Sequence, residues 1–510
     1  MGIDYLLEVA YGSDRQFSDS DVNAYSRIVR CISILGGVQW LTVLINVIRT
    51  KIVARLLGMA GFGINESFNR TLNLVKSATD LGIPFSAVRT ISAHFDNVGD
   101  KLQGDSILIT RSWALITALC GMLVCALLAP LFSLWAFDGD RSYTLSFMLL
   151  SPVVAFSAIS GGETAVLKGI RKVKEIAQIQ LFSVVSLLLI SVPVFYFLRL
   201  RGLVLSLVLV SMATMVITCV FSFRAYPYRV ALFNRAVLRG GSDMIYVGVY
   251  FTLTSFFNAG AFSIVANYLM SNGGKELVGA YSAGYALVSY LGMFVFSAMD
   301  YDYFPRIASV IDNNADVRTQ MNRQIEVTLL LVTPMVTAFV VFLEPIVRVL
   351  LTEKFCVAIP MTQLAVLGLL FKAVSQPMAY IPLAKGDSKT YLLQELVYDV
   401  SLAVSVILCF QSGGLRMVGL ALTVAEVLGL AAVYTIVRIR YRLTFQADTV
   451  KLALILPWPA LLAYVSVVVL EGWTGWVAGC AAIIVSALFS YMELARRTDF
   501  MDMLKMKFRK

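Results

Sequence analysis

The sequence predicts an all-α polytopic membrane protein with about 14 transmembrane helices, arranged as two pseudo-symmetric six-helix lobes plus two extra C-terminal helices. Three observations support this fold class. Hydrophobic residues form 58% of the 510 residues, which is more than a soluble globule of ordinary composition carries. Basic residues collect in alternate connectors, and short motifs recur at one spacing along the chain.

Apolar segments long enough to cross a bilayer occur fourteen times. The connectors between them hold about twenty residues or fewer, so the chain has no room for an inserted soluble catalytic domain. These segments lie near 32–57, 62–91, 109–136, 143–167, 175–198, 203–222, 242–270, 277–304, 325–351, 360–383, 390–410, 417–436, 449–470 and 473–492.

The distribution of positive charge predicts the orientation. Lys and Arg number 24 in one set of alternate connectors plus the C-terminal tail, and 6 in the other set. Because cytoplasmic loops of membrane proteins retain basic residues, we expect both termini in the cytoplasm and the chain in the cell inner membrane. This location also explains the net charge of +10, so no nucleic-acid partner is needed to account for it.

Two parallel copies of one unit account for most of the chain. Lys168-Gly169 recurs as Lys385-Gly386 after 217 residues, and Phe62-Gly63 returns as Val278-Gly279 after 216 residues. Six predicted helices separate the copies, so both have the same orientation in the membrane, as in two lobes related by an axis along its normal. The predicted organisation is a cytoplasmic N-terminal extension over 1–30, an N-terminal lobe over 31–224, an inter-lobe linker over 225–241, a C-terminal lobe over 242–440, two additional helices over 441–492 and a basic cytoplasmic tail over 493–510.

The second predicted span carries more charge than a lipid-facing helix can. Glu66, Arg70, Lys76 and Asp80 fall on one face of a helix, and apolar residues occupy the opposite face. An ionised side chain within a bilayer is costly unless it meets water or a partner. The span is therefore predicted to line a polar cavity inside the bundle.

The first helical hairpin resembles that of the polysaccharide flippases. From Ile45 it reads INVIRTKIVARLLGMAGFG and continues with ATDLGIPFSAVR, which carry the family's Ala-Arg-Leu-Leu-Gly, Phe-Gly and Asp-Leu-Gly elements. It departs from the family at Met59-Ala60, where Pro-Glu or a similar pair is usual. The motif covers the first two helices, and the fourteen-helix layout covers nearly the whole chain. The superfamily of exporters to which these flippases belong also contains the lipid II flippase and the multidrug and toxin extruders.

The resemblance implies a function as well as a fold. Flippases of this family move a polyprenyl-diphosphate-linked oligosaccharide from the cytoplasmic to the periplasmic leaflet by alternating access, for O-antigen or exopolysaccharide assembly. A match to the lipid II branch, Arg-x-x-Ile-Val-Ala-Arg, implies a diphosphate-binding role for Arg49, and a similar match implies one for Lys76. The expected partners are this substrate, the bilayer and other polysaccharide-assembly membrane proteins, with the chain itself a monomer.

The membrane-embedded charges differ between the two halves of the sequence. Arg49, Lys76, Arg70 and Arg55 make the first two helices basic, and a diphosphate is bound best by several cations, preferably Arg. The second half is acidic, which favours a site for a coupling ion, H⁺ or Na⁺. The candidate ion-coupling or cavity-lining residues are Glu66, Asp80, Glu395, Asp399, Glu426 and Asp300.

Several of these residues also have structural interpretations that the sequence leaves open. Arg70 and Lys76 lie about one helical turn from Glu66 and Asp80, so both pairs are compatible with internal ion pairs. Arg55 lies near the predicted periplasmic end, where its side chain can reach water.

The acidic candidates of the second half are similarly open. Glu395 and Asp399 lie four residues apart on one helical face, which suits a cation site or ion pairs with the basic loop at 385–389. Glu426 lies nearer the middle of its segment and has no charged partner close in the sequence.

Other function classes find less support. The single histidine and the seven cysteines without metal-ligand spacing predict no metal site, and no cofactor is expected apart from a coupling H⁺ or Na⁺. The chain is not expected to be an enzyme, and it has no GxxxxGK[ST] motif for nucleotide-driven transport. A multidrug and toxin cation antiporter and a lipid II flippase remain as alternatives. The basic first half argues against the antiporter, and the Asp-Leu-Gly-type second helix argues against the lipid II flippase.

Overall fold

The structure, a computed structural model, describes residues 19–95, 100–231, 235–298, 303–470 and 473–497. Within these ranges the regular structure is entirely helical. The predicted ion-coupling residue Asp300, most of the N-terminal extension and the end of the basic tail lie outside them. The helices are α1 (Asp19–Thr79), α2 (Ile83–Phe95), α3 (Asp100–Leu127), α4 (Ala129–Ala136), α5 (Thr144–Gly169), α6 (Val173–Leu198), α7 (Leu203–Ala225), α8 (Arg235–Ala298), α9 (Phe304–Ser309), α10 (Asn314–Leu350), α11 (Ile359–Ala384), α12 (Ser388–Tyr441), α13 (Ala447–Ile455), α14 (Pro457–Val469) and α15 (Trp473–Arg497).

Three helices are much longer than one membrane crossing, and each is bent at glycine. The backbone leaves helical geometry at Gly58 in α1, at Gly274 in α8 and at Gly413-Gly414 in α12. Gly58 has a φ of 68°, a left-handed conformation in which a Cβ atom would be strained. All three bends lie where the sequence predicts a turn between two spans.

The described part of the chain contains nine helical stretches that are long and apolar enough to cross a membrane. The all-α, multi-pass membrane fold predicted from the sequence is therefore confirmed. Three of the nine stretches exceed 45 residues, and each contains one of the breaks between predicted spans, at Arg199–Gly202, Gly274 or Gly413-Gly414. The count of fourteen spans stays a prediction.

The predicted second span, 62–91, is not one continuous helix. Helix α1 ends at Thr79 and α2 begins at Ile83. Between them Leu81 and Gly82 have left-handed φ values of 52° and 68°, which interrupt the right-handed helix. A Cβ atom on Gly82 would overlap the backbone of Gly248, so the Asp-Leu-Gly motif has a packing role at this break.

Two compact units, interleaved along the sequence, make up the chain. Unit 1 contains the described residues up to 49 together with 79–123 and 150–248, and unit 2 contains 50–78, 124–149 and the residues from 249 onward. The six-helix lobes predicted from the repeat remain a prediction.

The core of unit 1 joins α2, α3, α5 and the start of α6. Ile83, Ala87 and Ile91 of α2 are buried against Ile107 of α3 and against Val166 and its neighbours in α5. Small residues allow the helices to approach closely, as where a Cβ on Gly162 would overlap the Ala114 side chain.

The core of unit 2 is built around α11. No side chain from Met361 to Ala384 is exposed, so α11 is an interior helix with α10 and α12 packed against it. Helices α14 and α15 pack against α10, where Gly479 of α15 approaches Val341.

One contact in unit 2 is reciprocal. A Cβ atom on Gly63 would overlap the Lys275 carbonyl oxygen, and a Cβ atom on Gly279 would overlap the Met59 carbonyl oxygen. Gly63 and Gly279 are 216 residues apart, as are Met59 and Lys275, and this is the spacing of the sequence repeat. Reciprocal contacts of this kind are expected between elements related by a two-fold axis.

Candidate functional site

Arg49 is placed in unit 1, partly buried on α1. Its Nε atom donates a 3.4 Å hydrogen bond to the Ser191 hydroxyl of α6, which in turn donates to the Leu187 carbonyl oxygen. This contact orients the Arg49 guanidinium on α1.

The most deeply buried charges of unit 1 were not predicted from the sequence. Arg111 of α3 and Glu163 of α5 form an ion pair at 3.1 Å, with side-chain exposures of 1% and 4%. Ser222 of α7 donates a 2.5 Å hydrogen bond to Glu163, and Arg111 also donates to the carbonyl oxygens of Tyr226 and Pro227. The signal in the sequence was one isolated charge in each of two successive apolar segments.

The surroundings of this ion pair indicate a structural role. The guanidinium of Arg111 lies 5.3 Å from the ring centroids of Phe223 and Tyr228, in addition to its polar contacts. A cavity of about 250 Å³ adjoins Arg111 and is also lined by Asp105 and Arg229. None of the predicted site residues lines this cavity. The pair fixes the end of α7 and the connector after it against α3.

Arg70 is the central cation of unit 2. It is 9% exposed, its Nε atom lies 3.1 Å from a Glu66 carboxylate oxygen, and Nη1 donates a 3.4 Å hydrogen bond to the Phe262 carbonyl oxygen. The rings of Phe262 and Tyr281 lie at 5.5 and 5.4 Å from the guanidinium carbon. Tyr281 stacks on Tyr285, with ring centroids 5.9 Å apart.

Several buried polar atoms on the helices that carry Arg70 and its contacts are incompletely satisfied by the protein. The Arg70 Nε–H is close to Glu66 but is not aligned with it well enough to form a hydrogen bond. Buried oxygen atoms of Asn65, Ser263 and Ser282, which adjoin Glu66, Phe262 and Tyr281 in sequence, have no hydrogen-bond partner among the described residues. Buried polar groups normally have partners, so this part of unit 2 is suited to water or to a polar ligand.

The remaining predicted cations have different surroundings. Lys76 is half-buried in unit 2, and Asp80, with which the sequence could pair it, belongs to unit 1 and is also half-buried. Arg55 is exposed on α1 in unit 2. The structure therefore brings Glu66 and Arg70 together, and the substrate-binding roles of Arg49, Arg55, Arg70 and Lys76 remain predictions.

Three of the acidic candidates, Glu395, Asp399 and Glu426, lie on α12 of unit 2. Asp399 of α12 is 2% exposed and accepts a 3.0 Å hydrogen bond from the Asn258 side-chain amide of α8. Its other carboxylate oxygen has no partner within the described residues. Glu395 is partly buried one turn earlier on α12.

Glu426 lies in the second half of α12. It accepts a 3.0 Å hydrogen bond from the Tyr398 hydroxyl, and the Lys372 ammonium of α11 lies 3.9 Å away. Lys372 and Asn258 are two site residues to which the sequence analysis gave no role. Their positions opposite the carboxylates depend on the packing of α8, α11 and α12. Among the described residues, no group of three or more His, Cys, Asp or Glu side chains is arranged to hold a metal ion.

The fold is that of a class of helical membrane proteins whose solved members include flippases and multidrug transporters. Among solved structures, the lipid II flippase MurJ in an inward closed conformation matches with a TM-score of 0.70 and 12% identity, over 91% of this chain and 99% of that one. A multidrug resistance MATE family transporter of the MOP superfamily matches at 0.65 and 12%, over 82% and 98%. A MOP superfamily transporter from Pyrococcus furiosus matches at 0.59 and 14%, over 81% and 95%.

The chain belongs to the polysaccharide biosynthesis protein family, whose sequence model matches residues 52–360. The family expected from the first hairpin is thereby confirmed over a much longer stretch than the hairpin itself. No curated protein sequence gives a significant match.

Proposed function

We propose that the protein is a flippase that moves a polyprenyl-diphosphate-linked oligosaccharide from the cytoplasmic to the periplasmic leaflet of the inner membrane by alternating access, and that it is not an enzyme. The observation that carries this proposal is Arg70. Its guanidinium is buried beside one carboxylate and two aromatic rings, in the first hairpin of a polysaccharide biosynthesis family member.

The chemistry of Arg70 suits a diphosphate attached to a sugar. An arginine presents two parallel N–H donors that match phosphate oxygens, and its attraction for them is strongest away from bulk water. An aromatic face such as that of Tyr285, which is only partly buried, can stack on a sugar ring. Arg49, Arg55 and Lys76 also lie on α1 and would supply further cations.

Coupling to H⁺ or Na⁺ is the second part of the proposal. Asp399 offers a buried carboxylate oxygen that lacks a partner in the described residues, beside the Asn258 amide. Such a group can take up a proton or contribute an oxygen ligand to Na⁺. The driving ion would thus bind in unit 2, on helices other than the one that carries Arg70.

The multidrug and toxin antiporter remains the second candidate because of these same carboxylates. Glu395, Asp399 and Glu426 could attract a cationic drug, and a MATE transporter is among the similar folds. The lipid II flippase remains a third candidate, by fold alone.

The function is tested in a deletion strain by following its lipid-linked glycans. The strain is expected to accumulate the unpolymerised lipid-linked unit, and the wild-type chain should clear it. Arg70→Met should lower clearance by about 10- to 100-fold, since it removes a charge-assisted contact to the diphosphate. Export of a cationic dye by the wild-type chain, without any effect on lipid-linked glycans, would support the antiporter instead.

Two controls separate function from folding. Arg348 forms an ion pair with Glu344 at the same four-residue spacing, but both side chains are about half exposed, so Arg348→Met should leave transport unchanged. Glu66→Gln combined with Arg70→Met removes the whole buried pair. If this double variant is stable and still clears the glycan normally, Arg70 has no part in transport.

A further inference from the structure

Lys372 is a cation on α11 of unit 2 that is only partly buried and lies close to a carboxylate. It lies on α11, where no side chain from Met361 to Ala384 is exposed, yet 35% of the Lys372 side chain is open. About a third of the Lys372 side chain is therefore left uncovered by the helices that pack against α11. A lysine in that position is available to a hydrated ligand.

The partner of Lys372 holds it loosely. The 3.9 Å between its ammonium and the Glu426 carboxylate is too long for a hydrogen bond. Glu426 is 14% exposed, and the oxygen atom nearest Lys372 also accepts the hydrogen bond from Tyr398. On its other side, Lys372 lies 6.0 Å from the ring centroid of Phe296.

A second carboxylate, that of Glu395, interacts electrostatically with this lysine. Glu395 interacts electrostatically with both Lys372 and Glu426, and Asp399 lies one turn further along α12 and interacts with Glu395. Two carboxylates thus interact electrostatically with one ammonium. Neutralising either of them, by a proton or a sodium ion, leaves Lys372 less firmly held and more attractive to an anion.

We propose that Lys372 is an anion-binding side chain of the transport site and that Glu426 occupies it when no substrate is bound. The phosphate of the substrate and the Glu426 carboxylate compete for the same ammonium. This inference rests on the proposed function and adds a phosphate ligand in unit 2 to the cations of the first two helices. It also makes the ion-binding carboxylates direct competitors of the substrate, which provides a route for coupling.

The test is a double-mutant cycle on the purified full-length protein, with farnesyl diphosphate as the probe and farnesol as the uncharged reference. Wild type should bind farnesyl diphosphate more tightly than farnesol. Lys372→Met should weaken diphosphate binding about tenfold, and Glu426→Gln should strengthen it about tenfold. In Lys372→Met combined with Glu426→Gln, the gain should disappear, because the competition requires the lysine.

Lys385→Met is the matched control, since Lys385 follows α11 and its ammonium donates to the Ile311 carbonyl oxygen outside the predicted spans. This variant should bind as wild type does. An equal gain from Glu426→Gln with and without Lys372, or no effect of Lys372→Met, would overturn the inference. If Arg70→Met weakens binding and Lys372→Met does not, the inference alone fails. If wild type does not distinguish farnesyl diphosphate from farnesol, both the inference about Lys372 and the proposed function fail.

Discussion

The ion pair between Arg111 and Glu163 makes a quantitative prediction about stability. Both side chains are nearly inaccessible, and the carboxylate has Ser222 as its only other hydrogen-bond donor among the described residues. Arg111→Met leaves this carboxylate buried without its counter-charge and removes the donors to the carbonyl oxygens of Tyr226 and Pro227. Breaking one partner of a buried pair costs about 3–5 kcal/mol, so the free energy of unfolding should fall by that amount.

A double variant separates two causes of this loss of stability, the missing ion pair and the unpaired buried carboxylate. Arg111→Met combined with Glu163→Met removes both charges and replaces them with apolar volume, which is often tolerated in a protein interior. We expect it to be more stable than Arg111→Met alone. Arg348→Met, at an exposed pair, should change the free energy of unfolding by no more than about 1 kcal/mol.

The assay is denaturant or thermal unfolding of the purified protein in one detergent, with all four proteins measured in parallel. If Arg111→Met behaves like Arg348→Met, the buried pair does not stabilise unit 1. If the double variant is less stable than Arg111→Met, the cost does not come from an uncompensated carboxylate.

Two further predictions concern connectors. Burial alone would raise the pKa of Asp387, but hydrogen bonds from Thr390, Tyr441 and Arg440 outweigh burial and hold the pKa below its ordinary value of 3.8. The contribution of the ionised Asp387 carboxylate to stability should therefore be complete above about pH 4 and be lost as the pH falls further. Asp387→Ala should be less stable than wild type at pH 7 and should lose less stability on acidification, as read from melting curves at neutral and at acidic pH. Gly82→Ala should lower the free energy of unfolding by about 2 kcal/mol or more, because Gly82 has a φ of 68° and an added Cβ would overlap Gly248. Gly260→Ala, whose Cβ meets only Leu74 at 3.9 Å, should be neutral or slightly stabilising. Equal losses of stability in the two variants would contradict this account.

The fold class could be predicted from the sequence because a bilayer requires every span to be apolar and of a minimum length. Turns between predicted spans coincide with the bends at Gly58, Gly274 and Gly413-Gly414, since glycine is the residue that tolerates their backbone angles. The pair of Glu66 and Arg70 was also foreseen as one interpretation, because residues four apart on a helix are neighbours.

Interactions between helices were harder to predict. Arg111 and Glu163 are 52 residues apart, and Asn258 and Asp399 are 141 residues apart. Helical periodicity shows which side chains share a face, but it does not show which neighbouring helix meets that face. The proximity of Lys372 to Glu426 depends on the packing of α11 against α12 and cannot be predicted from a single apolar segment.

The central claim is that this protein transfers a diphosphate-linked glycan across the membrane by means of buried cations. The most direct measurement is the leaflet in which the lipid-linked unit accumulates in the deletion strain, read by its accessibility to a periplasmic glycosidase or probe. Accumulation on the protected, cytoplasmic side, relieved by the wild-type chain and not by Arg70→Met, is the predicted result. Accumulation on the periplasmic side, or none at all, would contradict the proposal.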